Sequence, residues 1–233
     1  MKASLGALML AVLVLTGCAQ TQVRLAEPEA KITIKPERVV LMPPEINLYE
    51  LQFGGQLEPR ADWTLSARSL VVGALKKRLS ASMTELTDAV TDENPDPRAS
   101  EQQIRKLADA VMNSVWLYEI GWARDSLENK RGRFDWTLGP GAQVLKTRYK
   151  ADYALFLGFE DSYTSAGRAA GMAIGALLGV SMSGGVQVGF AALVDTQTGR
   201  VAWYNLLIDG SGDLRNARDA QTAVDQLLEK VPL

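Results

Sequence analysis

One cysteine and no histidine set the terms for any chemistry this chain can do. Histidine is the commonest general base near neutral pH and the commonest metal ligand, so both jobs fall to other groups. Cys18 has no second cysteine to pair with, which excludes an internal disulfide and a cysteine-metal site together. Carboxylates and lysine remain. The carboxylate pairs Asp92-Glu93 and Glu160-Asp161 are adjacent in the chain. Neighbours on a strand point to opposite faces, so adjacency alone makes neither a catalytic pair. The glycines are not followed by the Gly-Lys-Ser/Thr of a phosphate loop or by an acidic residue at dinucleotide-binding distance. The expectation is therefore no catalytic residues, no metal ligands and no cofactor. With 25 basic against 27 acidic residues the charge nearly cancels, which argues against a general nucleic-acid partner.

The sharpest spacing belongs to glycine. Gly167, Gly171, Gly175 and Gly179 stand four apart in GRAAGMAIGALLG. On a helix this spacing stacks them into one smooth groove, a candidate contact surface where another backbone can approach closely. Ala169, Ala170, Ala173 and Ala176 widen the small-residue face. The apolar stretch from Ala169 to Met182 is too short to cross a bilayer as a regular helix. It can lie in the membrane interface, pair helices between subunits, form an extended hairpin, or be a loop or an internal packing helix. Of the five tryptophans, Trp116 and Trp122 flank Tyr118 near a helix end. They are core or rim residues, or else an exposed aromatic patch. Lys76-Lys77-Arg78 reads as a solvated helix face.

The amino terminus reads as an export signal. Lys2 supplies a positive charge, Leu5 to Leu15 an apolar run, and Thr16-Gly17 small residues ahead of Cys18. The run is about half of the ~20 residues needed to span a bilayer. Leu15-Thr16-Gly17-Cys18 resembles the lipobox of bacterial lipoproteins. That resemblance implies cleavage before Cys18 and acylation of its thiol. Ala19 stands where aspartate would favour the inner membrane, so the implied address is the periplasmic face of the outer membrane. The expected organisation is a signal peptide at 1–17, a lipidated tether at 18–36, and an α/β periplasmic domain at 37–233 with a glycine-rich insertion at 165–185.

These features need a scaffold, and its elements follow from periodicity. Arg38 to Met42 is a short buried strand stopped by Pro43-Pro44. Ile46 to Arg60 fits no period and reads as loop with at most a short strand. Asp62 is placed to cap a helix from Trp63 to about Leu86, its apolar face carrying Leu65, Leu70, Ala74, Leu75, Leu79 and Met83. Thr91 to Ala99 breaks the chain with two prolines among acids. Ser100 opens a second helix, with Gln103 at capping-box spacing, running to about Ile120. A charged, turn-like stretch from Arg124 to Thr137 leads to a short helix ending near Tyr149, then a strand from Tyr153 to Phe159. Val186 to Val194 and Arg200 to Ile208 form two strands joined by Asp195 to Gly199, where Gly199 suits positive φ. Ala217, Ala220, Val224, Leu227, Leu228 and Val231 mark the last helix, opened by Asn216 or Asp213. The order predicts an α/β, or α+β, single domain: a mixed, largely antiparallel sheet with packed helices.

Three stretches together resemble lipoproteins related to the curli secretion channel. Arg38 to Glu45 (RVVLMPPE) is similar to their opening strand. Tyr149 to Gly158 (YKADYALFLG) is similar to a central strand, with Lys150 where glycine is usual. Phe190 to Trp203 (FAALVDTQTGRVAW) resembles their closing hairpin, matching at Asp195, Thr198, Gly199 and Trp203. The related group includes lipoprotein activators of cell-wall synthases and exopolysaccharide-export lipoproteins. Channel members carry two inserted amphipathic hairpins, whereas this chain offers one insertion, Ser165 to Gly185, without a strand-pair pattern. The resemblance carries no catalytic motif. It implies a small α/β fold and a non-enzymatic, membrane-anchored assembly or secretion accessory in the cell envelope. The expected partners are copies of itself or an envelope protein. The alternative is a monomeric periplasmic regulator or binding module docking on an envelope enzyme or on glycan. A carboxylate-type enzyme is a third reading.

Overall fold

The computed structural model describes residues 19–26, 38–80, 85–89 and 100–233. The export signal, Cys18, most of the expected tether, Met83 and the proline break with Asp92-Glu93 lie outside the described residues.

The chain builds one mixed sheet with helices on both faces. Its spine is β6 (Tyr153–Thr164), a 12-residue strand longer than its apolar run predicts. β7 (Gln187–Asp195) and β8 (Val201–Asp209) follow it as the expected antiparallel hairpin. Gly199 adopts φ +75° in the turn, and the Asp195 carboxylate accepts from the backbone N–H of Gln197 and Thr198 at 2.8 Å each. On the other flank of β6 run β2 (Arg38–Leu41) and β3 (Glu45–Leu51), both parallel to it. They form one strand path interrupted at Pro43-Pro44, because proline brings no N–H to the ladder. β3 then turns back through Gly55 (φ +88°) into β4 (Leu57–Pro59). This hairpin corrects the loop expected over Ile46 to Arg60. Ile46 and Leu48 are its buried positions and alternate with exposed Glu45 and Asn47, a period too short to stand out.

The edges hold two surprises. β1 (Gln20–Leu25) pairs antiparallel with β8, from Gln20↔Ile208 to Leu25↔Trp203, where an irregular tether was expected. β8 is buried on both faces, so its outer backbone groups need a partner, and polar residues at an edge position supply one without apolar signal. β5 (Glu85–Asp88) pairs parallel with β2, where the sequence predicts helix through Leu86. α1 (Ala61–Leu79) therefore stops seven residues early and begins one residue before its expected cap. Asp62 lies in its first turn and pairs with Arg60 at 3.2 Å instead of capping. Its buried stripe is Ala67, Val71, Ala74, Leu75 and Leu79, while Leu65 is exposed.

Two cores result. On one face α1 and α5 (Ala217–Leu227) cover Leu155, Leu157, Leu193, Trp203 and Leu207. Asn216 caps α5 by accepting from Asp219 N–H at 2.9 Å, as its position predicts. On the other face α2 (Ser100–Val115) and α3 (Gln143–Tyr149) cover Val40, Ala154, Phe156, Val194 and Tyr204. Buried Glu101 links these two helices, accepting from Tyr149 Oη at 2.9 Å and pairing with Arg148 at 2.8 Å. α2 widens into a π-helical turn at Trp116–Ile120, reaching the predicted end. α3 ends on Lys150 in the left-handed region (φ +54°), the position where the resembled strand has glycine. The class expected from the sequence, mixed α/β with a largely antiparallel sheet, is the one observed.

Candidate functional site

The insertion between β6 and β7 opens with a helix. Ser165 accepts from Arg168 N–H at 3.3 Å and α4 (Ala166–Leu177) follows, so the stretch is neither a strand pair nor a loop throughout. The glycine series does not form one continuous groove. Gly179 lies beyond the helix at φ +76° and terminates it, with Val180 N–H donating to the Gly175 carbonyl at 2.8 Å and Gly179 N–H to that of Ala176 at 3.2 Å. Gly175 faces this closing turn: a Cβ there would stand 3.2 Å from the Val180 carbonyl oxygen. Gly171 faces Phe53 from the β3–β4 hairpin, whose ring would lie 2.3 Å from an added Cβ. Gly167, in the first turn of the helix, opens onto free space, as does Gly179 beyond its end. The glycine face of α4 is thus occupied by the same chain at two of its positions.

Arg168, the one charge between Asp161 and Asp195, fastens this lobe. It is buried, and its guanidinium donates to the Ser183 carbonyl at 2.9 and 3.2 Å and to the Phe53 carbonyl at 3.2 Å. It binds helix, returning segment and hairpin together. The opposite face of the lobe is apolar and unpaired: Ile174 is 61% exposed, Leu177 87%, Leu178 75%, with Val180 beside them. Contiguous apolar surface of this kind marks a protein or membrane contact.

A second feature lies where α2 crosses the sheet. Glu160 and Asp161, adjacent on β6, point to opposite faces as strand geometry requires. Asp161 is buried on the α5 side, where the Tyr163 hydroxyl and Gln187 Nε2 (3.0 Å) donate to it, and burial raises its carboxyl above the usual range. Glu160 faces the α2 side and joins Glu45, Asp109 and the amides Asn47 and Asn113 around a cavity of about 280 Å³. Phe190, Tyr204 and Trp116 form apolar walls. Burial, and then the charge of Glu45, push the Asp109 carboxyl up to about 6, while Arg105 pulls it partly back. Arg105 itself pairs with Glu45 at 3.2 Å. Trp122 stands fully out from the surface and Tyr118 packs on the α2 core, so the three aromatics form no single patch.

Neither a family model nor a curated protein matches the chain. Among solved structures it is similar to the PelC dodecamer from Paraburkholderia phytofirmans, at 11% identity over 91% of this chain and 95% of that one, with a TM-score of 0.40. A leucine-to-methionine variant of that dodecamer is similar at 12% identity over 93% of this chain and 98% of that one, with a TM-score of 0.39.

Proposed function

We propose that this chain is a non-enzymatic, lipid-anchored accessory of assembly or secretion in the bacterial envelope. It is held by Cys18 on the periplasmic face of the outer membrane and assembles with copies of itself through the α4 lobe. The observation that carries the reading is the exposed apolar face of that lobe, where Ile174, Leu177, Leu178 and Val180 fall within seven residues of chain. A monomer gains nothing by keeping three large aliphatic side chains in water on a helix so firmly fastened, at roughly 1.5–3 kcal/mol for each that a partner would bury. The contact surface is therefore this outer face, with the glycines serving close packing beneath it.

Solution mass of the full chain in mild detergent tests the assembly. The expected result is a defined multimer that Leu177→Glu converts to monomer without changing the melting temperature. A monomeric wild type would overturn self-assembly and leave the monomeric regulator or binding module as the reading. Retention of the multimer in Leu177→Glu and in Ile174→Glu would move the interface elsewhere.

A further inference from the structure

The cavity beneath α2 is a second site, independent of the lobe. Its floor is the sheet: Glu45 and Asn47 from β3, Glu160 from β6, Val188 and Phe190 from β7, and Tyr204 from β8. Its roof is the last two turns of α2 with Asp109 and Asn113, continued by Trp116 at the start of the π-helical turn. Such turns are rare and recur at functional sites, because widening the helix re-aims the side chains on it.

Three observations specify a ligand. The lining holds three carboxylates and no lysine or arginine; Arg105, outside the lining, pairs with Glu45 and partly offsets the charge at Asp109. The walls are aromatic at Trp116, Phe190 and Tyr204, which suits a cation carried on an apolar body. Tyr204 is fully buried and its hydroxyl has no hydrogen-bond partner among the described residues, although buried hydroxyls are nearly always paired. Among the described residues no three ligating side chains converge on a point where one metal ion could sit, so the negative charge is spread over the cavity rather than focused. The volume of about 280 Å³ falls just short of the ~300 Å³ at which ligand sites begin, so only a small ligand fits.

We propose that this cavity binds a small organic ammonium ion on a ring or short apolar body. The ammonium group meets Asp109 and Glu160, and the body lies between Trp116 and Phe190. The groups facing Asp109 are Glu45 from β3, Glu160 from β6 and Arg105 from its own helix. An ionised Asp109 holds the cation and a protonated one does not.

Benzylamine and benzyl alcohol, which share a ring and differ in charge, are the probes, with binding to the full chain followed by ligand-observed NMR. Benzylamine should bind at least tenfold more tightly than benzyl alcohol, and its affinity should rise about tenfold between pH 5 and pH 7 as Asp109 ionises. Asp109→Asn should abolish that pH dependence and weaken benzylamine about tenfold at pH 7 with the fold intact. Equal binding of amine and alcohol, binding of neither, or an Asp109→Asn protein that binds as wild type would each overturn the proposal. Displacement of benzylamine by calcium at equal concentration would overturn it in favour of a metal site.

Discussion

Asp109 holds its proton to about pH 6, and that has a cost which can be measured. Its folded-state pKa lies above the unfolded value, so the native state binds more protons between about pH 4 and 6. Stability attributable to this group is then lost as pH rises through that window. At pH 7.5 the ionised carboxylate is held where water solvates it poorly, a penalty of about 1–2 kcal/mol once solvent screening of this half-exposed group is counted. Asp109→Asn is therefore expected to melt higher than wild type at pH 7.5 and the same at pH 4.5, read by thermal denaturation at both values. Nothing in the sequence announced this residue. Its partners come from α2 and four strands scattered between positions 45 and 206, and no linear spacing records such a convergence. The opposite orientation of Glu160 and Asp161 was legible, because it needs only strand geometry. Gly199 was legible too, and the structure strengthens the case: a Cβ there would meet the Gly139 carbonyl oxygen at 2.1 Å as well as straining φ. Gly199→Val is expected to lose about 3 kcal/mol or more, seen as a fall in melting temperature of about 10 °C.

Among the elements, those with an unbroken apolar period could be read from the chain and those defined by a neighbour's needs could not. α2, α5, β6, β7 and β8 stand where leucine, valine and alanine repeat at helical or extended spacing. β1 and β5 carry weak patterns and exist because β8 and β2 have backbone groups to satisfy. α1 yields its last predicted turns to that demand. The insertion at 165–185 was ambiguous for another reason: glycine every fourth residue looks alike whether it seats a second chain or the same one. Phe53 on Gly171 and the closing turn on Gly175 settle which atoms touch those glycines. Gly175→Leu would consequently disturb the helix stop, which makes Leu177→Glu the cleaner probe of assembly. Lys150 offers a test of element termination. A left-handed lysine costs about 1–2 kcal/mol, while glycine adds about 0.4–1 kcal/mol of unfolded-chain entropy. Lys150→Gly is thus expected to be neutral to stabilising by up to about 1 kcal/mol in denaturant titration, and a clear loss would mean that its side chain does more than end α3.

At the scale of the whole molecule, a lipid on Cys18 would join the membrane to a folded body that carries an apolar lobe and a charged cavity. Cys18→Ser is expected to move the protein from the membrane pellet to the soluble fraction, because acyl chains supply the buried methylenes that hold it. If that variant still pellets with outer membranes, the exposed aliphatics of α4 become the second anchor to test. Combining Cys18→Ser with Leu177→Glu separates the two contributions. Strand β1 would give such an anchor a mechanical meaning. Gln20 is already hydrogen-bonded beside Ile208, and only Ala19 lies between it and Cys18, a reach of about 7 Å. A lipid on Cys18 would act as a bracket bolted to the rim of the sheet rather than as a leash. Every copy would stand off the bilayer by the same short distance and share one end toward the headgroups. Copies so mounted search for one another in two dimensions with their tumbling largely frozen out, and their lobes need only slide to meet.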